Sequence, residues 1–148
     1  MQRNSRSRTR PRAPGKAAAL IGIAVLMPLL IGAAAAFFPN GTPMVDAARG
    51  YALVLLGFLG GTHWGLNIRH RRVGLLGLSV LPALVGWGLW LVLDPVAEAV
   101  ALAIAFAATH LLDEYQTDAG FLHPDYRKLR RILTAVAVVC LVCLANAY

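Results

Sequence analysis

Five side chains in this 148-residue chain have both the chemistry and the spacing of a site: His63, Asn67, His110, Asp113 and Glu114. His63 and Asn67 are four apart, and Asp113 and Glu114 follow His110 at three and four, so each set lies on one face if its segment is helical. All stand inside or at the ends of long apolar runs. An ionisable group in hydrocarbon costs several kcal/mol, so such a residue faces protein or water rather than lipid. Two histidines and a carboxylate are a donor set for a metal ion or haem iron, and equally for a proton relay. The plainer reading is a neutral imidazole bonded to a neighbouring backbone carbonyl, with Asp113 and Glu114 a solvated helix end. Desolvation favours the neutral ring of His63 unless an acid such as Asp113 approaches it. The chain has no nucleophile triad, phosphate-binding loop or full metal signature. These residues therefore call for no cofactor and suggest no enzyme. His63 and His110 are the weak candidates for a metal. Cys140 and Cys143, inside the last apolar run, read as small packing residues.

The elements that must position these residues are membrane helices. The chain is 58% hydrophobic and 14% charged, with mean hydropathy +0.63. Its apolar runs approach the ~20 residues that cross ~30 Å of hydrocarbon. The pattern predicts an all-α membrane protein, a bundle of five transmembrane helices over residues 17–148, with spans near 17–38, 47–68, 73–93, 96–112 and 130–146. Residues 1–16 read as a basic, disordered cytoplasmic tail. Pro39 to Pro43 is a turn, with Asp46 expected to cap the second helix. Asp94-Pro95 is an N-cap followed by proline at the first helical position, and Pro124 to Arg131 is a short interfacial lead-in to the last span. Of the 14 Lys and Arg, all but Arg49 fall in the tail, at 69–72 or at 127–131. That places the N-terminal tail in the cytoplasm and the C-terminal end outside. The net charge of +7 is explained by this topology, without nucleic acid. The expected partners are the lipid bilayer and, beyond it, other membrane proteins or a second copy of the chain.

The second span carries the densest signal, Gly57-Phe58-Leu59-Gly60-Gly61-Thr62-His63-Trp64-Gly65-Leu66-Asn67. At ~100° per residue, Gly57, Gly61 and Gly65 form one stripe and Gly60, His63 and Asn67 a second, with Trp64 between them. The glycine stripe reads as a surface on which another helix backbone packs closely. The opposite arc, with Ala52, Leu55, Phe58, Leu59 and Thr62, reads as the lipid face. Pro28 and Pro82 are expected to kink the first and third spans. Pro28-x-Leu30-x-Gly32 also matches Pro82-x-Leu84-x-Gly86, and Thr62-His63 matches Thr109-His110. These matches suggest a duplicated parallel helix hairpin with a fifth helix added. Thr62 and Thr109 are expected to bond back to their own helices.

Gly60-Gly61-Thr62-His63-Trp64-Gly65-Leu66, flanked by proline-bearing spans, resembles a small multi-pass membrane family, domain-of-unknown-function family 3429, which includes a mitochondrial inner-membrane transmembrane protein. The Gly22 to Pro28 stretch, Leu78 to Pro82 with Trp87, Asp113, and Pro124-x-Tyr126-x-x-Leu129-Arg130 extend the likeness over roughly 17–146. The resemblance implies a bacterial inner (cytoplasmic) membrane protein, or a mitochondrial inner-membrane one in a eukaryote, and implies no activity. The leading functional expectation is a non-enzymatic subunit or accessory factor of a membrane assembly. Two alternatives stand beside it: a small-solute or proton pathway lined by His63 and Asn67, and a metal- or haem-binding membrane protein using His63 and His110.

Overall fold

The computed structural model describes residues 16–69, 73–118 and 124–148. The tail over 1–15, the end of the basic cluster at 70–72 and the loop at 119–123 lie outside the described residues. Five helices follow one another: α1 (Lys16–Ala35), α2 (Thr42–Arg69), α3 (Val73–Val92), α4 (Pro95–Asp118) and α5 (Pro124–Ala145). There is no strand among the described residues. Each helix packs on its neighbours in the chain, α1 closes onto α5, and α2 also reaches α4 and α5. The product is an all-α membrane bundle. Segments of α2, α3 and α4 (Thr42–Gly65, Gly74–Val92 and Pro95–Tyr115) are long and apolar enough to cross a membrane, and α1 holds a shorter apolar helix, Ala19–Ala35.

The helix ends differ from the sequence reading in ways that backbone chemistry explains. α2 begins before Asp46, at Thr42, because the Gly41 carbonyl accepts from Met44 N and Val45 N at 3.0 Å each. A side chain at Gly41 would run into the Ala35 carbonyl, so glycine alone permits this tight entry. Asp94 caps α4 as expected, its Oδ1 accepting from Val96 N and Ala97 N at 3.1 Å each. Pro124 to Arg131 is no separate lead-in but the first turns of α5 itself. Pro28 and Pro82 sit inside α1 and α3, where each removes one backbone donor from its helix.

The core joins Leu29 of α1, Ala52 and Leu56 of α2, Leu102 of α4, and Leu141 and Leu144 of α5, all fully buried. α3 contributes least to it, and Leu84, Trp87, Trp90, Leu91 and Val92 stand more than half exposed on its outside.

The phase of α2 needs one correction. The polar stripe is inside as expected, with His63 and Asn67 buried. Most of the arc read as lipid-facing is inside as well: Ala52, Leu55 and Leu59 are buried, and of that arc Phe58, at its edge beside the glycines, is exposed as expected. The open arc is the one that carries the glycines. Val54, Phe58, Trp64 and Ile68 are exposed, and a Cβ at Gly61 or Gly65 would meet nothing within 4 Å. Close packing within the chain runs instead through Gly60, where a side chain would strike the Ser79 carbonyl beside Pro82. Gly57 makes only ordinary contact, 3.8 Å from its added Cβ to Ala83 Cβ. Lipid tails and leucine side chains are equally apolar, so hydrophobicity alone does not tell an aliphatic arc facing protein from one facing lipid.

Candidate functional site

α2 and α4 run in the same direction and α5 runs against them, so the C-terminal turns of the first two meet the N-terminal turns of α5. Three buried groups converge there. His63 Nε2 lies 2.7 Å from Asp113 Oδ1. The other carboxylate oxygen, Oδ2, accepts from Arg130 Nε. The side chains of His63, Asp113 and Arg130 keep only 2%, 6% and 11% of their surface exposed. One carboxylate thus ties three helices together in a setting from which water is largely excluded. Such charges persist only when paired and hydrogen-bonded.

A second layer flanks the triad. Glu114 accepts from Arg127 Nε, from Arg131 Nε at 3.1 Å and from Arg131 Nη2 at 2.9 Å. His110 Nε2 is 3.4 Å from Glu114 Oε1, one turn along its own helix. On the α3 side, Asn67 Nδ2 donates to Leu75 O at 3.2 Å and to Ser79 Oγ at 3.1 Å. Ser79 Oγ donates in turn to Leu75 O at 3.2 Å. Asn67 therefore pins α3 to α2 and satisfies its amide without reaching Asp113. A cavity of about 10 Å³ lies between His63, Asn67, Ser79 and Tyr115, about the least that holds one water. His63 Nδ1 is buried and has no partner among the described residues.

Of the four residues expected to cluster, the structure bonds His63 directly to Asp113, places Asn67 one turn beyond His63, and sends His110 to Glu114. The paired-histidine arrangement is not formed. The two rings take separate carboxylates, and among the described residues no three metal-ligating side chains converge. His110 lies one turn from Asp113 on α4, and its ring follows the nearer Glu114. Trp64, expected between the two stripes as a packing residue, is 43% exposed. Thr62 and Thr109 donate to Leu59 O at 2.7 Å and Phe106 O at 2.8 Å, back-bonding as expected.

Sequence reasoning gave no site role to Arg130, which it used for topology and in the family likeness, or to Ser79. It also missed a second buried ion pair at the other end of the bundle. Arg49 Nη2 lies 3.0 Å from Glu98 Oε2, with only 2% of the Glu98 side chain exposed. Arg49 Nη1 also donates to Tyr148 OH at 2.9 Å, and the phenol donates to Asp46. Burial first, and then the bond to Asp46, push the Tyr148 phenol up to about 12. The available signal was Arg49 itself, the one basic residue outside the three basic clusters, one helix away from an acid in the first turn of α4.

These features define an all-α integral membrane protein whose ionisable groups gather in two buried layers at opposite ends of its helices. The chain belongs to the DUF3429 family, described as proteins of unknown function, whose model matches residues 14–146. It is also similar to Transmembrane protein 69 of Xenopus tropicalis, 33% identical over an alignment of 138 positions that covers 86% of this chain and 53% of that protein. The chain thus spans about half the length of this curated relative. No solved structure matches it.

Proposed function

We propose that this protein is a non-enzymatic component of a membrane assembly, held by contacts along the open arc of α2. One observation carries the reading. Gly61 and Gly65 leave a flat backbone strip with none of the described residues within 4 Å of an added Cβ, and exposed Trp64, Phe58 and Val54 border it. A strip of small residues is what allows two membrane helices to approach closely, whereas lipid alone gives it no packing advantage. In this reading all five helices cross the membrane, with the basic ends of α2 and α5 in the cytoplasm or matrix. The membrane is the bacterial inner membrane or its mitochondrial counterpart. The test is blue-native electrophoresis of mildly solubilised membranes, with a photo-crosslinking residue at Trp64 and a second at buried Leu59. A defined adduct from Trp64, absent from Leu59 and lost on Gly61→Leu, is the expected result. A monodisperse monomer with no Trp64 adduct would remove the proposal.

A second reading, a proton-responsive site, is favoured by His63 alone: a buried ring on a buried carboxylate, with Nδ1 unbonded beside a water-sized cavity. The open volume there admits about one water, which suits a local protonation event better than a conduit for solutes. Proteoliposomes of wild type and His63→Gln, compared for proton flux across about pH 5–8, test it. Identical behaviour of the two would end it.

A further inference from the structure

An apolar opening in the bundle lies between α1 and α2 and is floored by α5, and α1 is placed to create it. From Val25 to Gly32, α1 is fastened to α2: Tyr51 OH donates to Val25 O at 2.7 Å, and a side chain at Gly32 would strike Ala48. One turn before Val25, α1 leans on α5, where a Cβ at Gly22 would stand 2.8 Å from Leu133 Cδ1. The two helices therefore part toward the end that carries the buried triad. The cleft between them has a volume of about 210 Å³, larger than the ~150 Å³ apolar cavity that binds benzene. Val25, Leu26, Phe58, Phe106 and Leu133 line it, and Arg130 closes one end. Arg130 spends Nε on Asp113, yet its buried Nη2 has no hydrogen-bond acceptor among the described residues. Among the described side chains at this end, Arg127, Lys128, Arg130 and Arg131 outnumber the carboxylates Asp113 and Glu114 by two.

We propose that this cleft is a specific phospholipid site, in which one acyl chain lies between α1 and α2 and the phosphate bonds Arg130. The chemistry at the two ends supports it. An aliphatic wall open to the bilayer takes a hydrocarbon chain and offers no polar group along its length except Thr62 and Thr134, both at the arginine end. Thr62 is already bonded to its own helix. A guanidinium that lines one end of the cleft and keeps a buried, unpartnered N–H is matched to a phosphate oxygen, and the excess of cations favours an anionic headgroup. A free fatty acid would fill the cleft equally well but would carry no phosphate, and the test separates the two.

The full chain is reconstituted in liposomes containing a phosphatidylglycerol with a photoactivatable acyl chain, and the cross-linked peptides are mapped. Adducts concentrated on α1 and α2 peptides that contain Val25 or Phe58, at about one per chain, are expected. Labelling spread evenly over the exposed face of α3 would overturn the proposal. Native mass spectrometry of detergent-purified protein supplies the second measurement. Wild type and Val139→Trp, an exposed position on α5, should retain one phospholipid. Val25→Trp, which fills the cleft, should retain it at least tenfold less. Retention of a fatty acid in place of a phospholipid, or equal retention by both tryptophan variants, would refute the assignment.

Discussion

Asp113→Asn tests the centre of the structure most directly. The substitution keeps the shape of the side chain and removes its charge. One amide oxygen can still accept a bond, but the carboxylate now accepts from Arg130 Nε and bonds His63 Nε2 through two separate oxygens. The amide NH2 must therefore face one of those nitrogens, donor against donor at Arg130. The guanidinium is left buried without its counter-charge. Breaking a buried pair by removing one member costs about 3–5 kcal/mol. Arg130 has a flexible stem and lies near the helix start, so it relaxes toward the interface and the lower value applies. About 3 kcal/mol is roughly a hundredfold in the folded-to-unfolded ratio. The assay is unfolding of detergent-solubilised protein by sodium dodecyl sulfate, followed through the three tryptophans. The triple variant His63→Leu, Asp113→Leu, Arg130→Met is the informative companion. Replacing a whole buried ion cluster by apolar residues is often neutral, so it should return to within about 1 kcal/mol of wild type. An Asp113→Asn protein as stable as wild type would refute the pairing. A triple variant weaker than the single one would show that these groups satisfy something other than one another. If the triple variant is stable but has lost its function, the triad is retained for activity rather than for folding.

Three further outcomes follow from the same contacts. Gly60→Leu should overpack the α2–α3 interface by about 1–3 kcal/mol because the obstacle is the Ser79 backbone. Gly61→Leu should leave monomer stability unchanged, and equal sensitivity in the dodecyl sulfate assay would contradict the assigned phase of α2. Glu98→Gln should destabilise more than Asp46→Asn, since Arg49 pairs with a carboxylate that is 2% exposed in the first case and 54% in the second; equal effects would argue against the buried pair. Tyr148 is held protonated up to about 12. Its contribution to stability is therefore full below about pH 10, where the unfolded phenol begins to ionise, and is lost as pH rises toward 12. Spectrophotometric titration should show one late-ionising phenol that disappears in Tyr148→Phe, and uniform titration of all four tyrosines near pH 10 would refute it.

Sequence and tertiary structure contributed different things here, and the division has a physical origin. The covalent pattern was enough for the class. Apolar runs of spanning length admit only helices in lipid, because every backbone polar group must be satisfied within its own segment. The Asp94-Pro95 start of α4 and the back-bonding of Thr62 and Thr109 were legible for the same reason, being local to one turn of chain. So was the inward side of His63 and Asn67, since a polar residue is costly in hydrocarbon whatever surrounds it. Which neighbours those residues met was not local. Lipid and protein interior are alike to an aliphatic side chain, so the sequence could not show that Ala52, Leu55 and Leu59 face inward while Gly61 and Gly65 face out. Nor could it choose between the carboxylates within reach of each histidine, because Asp113 and Glu114 are adjacent in the chain and both bond arginines of α5, while only Asp113 also meets His63 of α2. Only the packing of α5 against α4 turned Arg130 from one basic residue among several into the partner of Asp113. Only the lean of α1 toward α5 opened the cleft beside it. Charge and hydropathy fix how far a residue is drawn out of lipid, and the three-dimensional arrangement of the helices decides what it finds there.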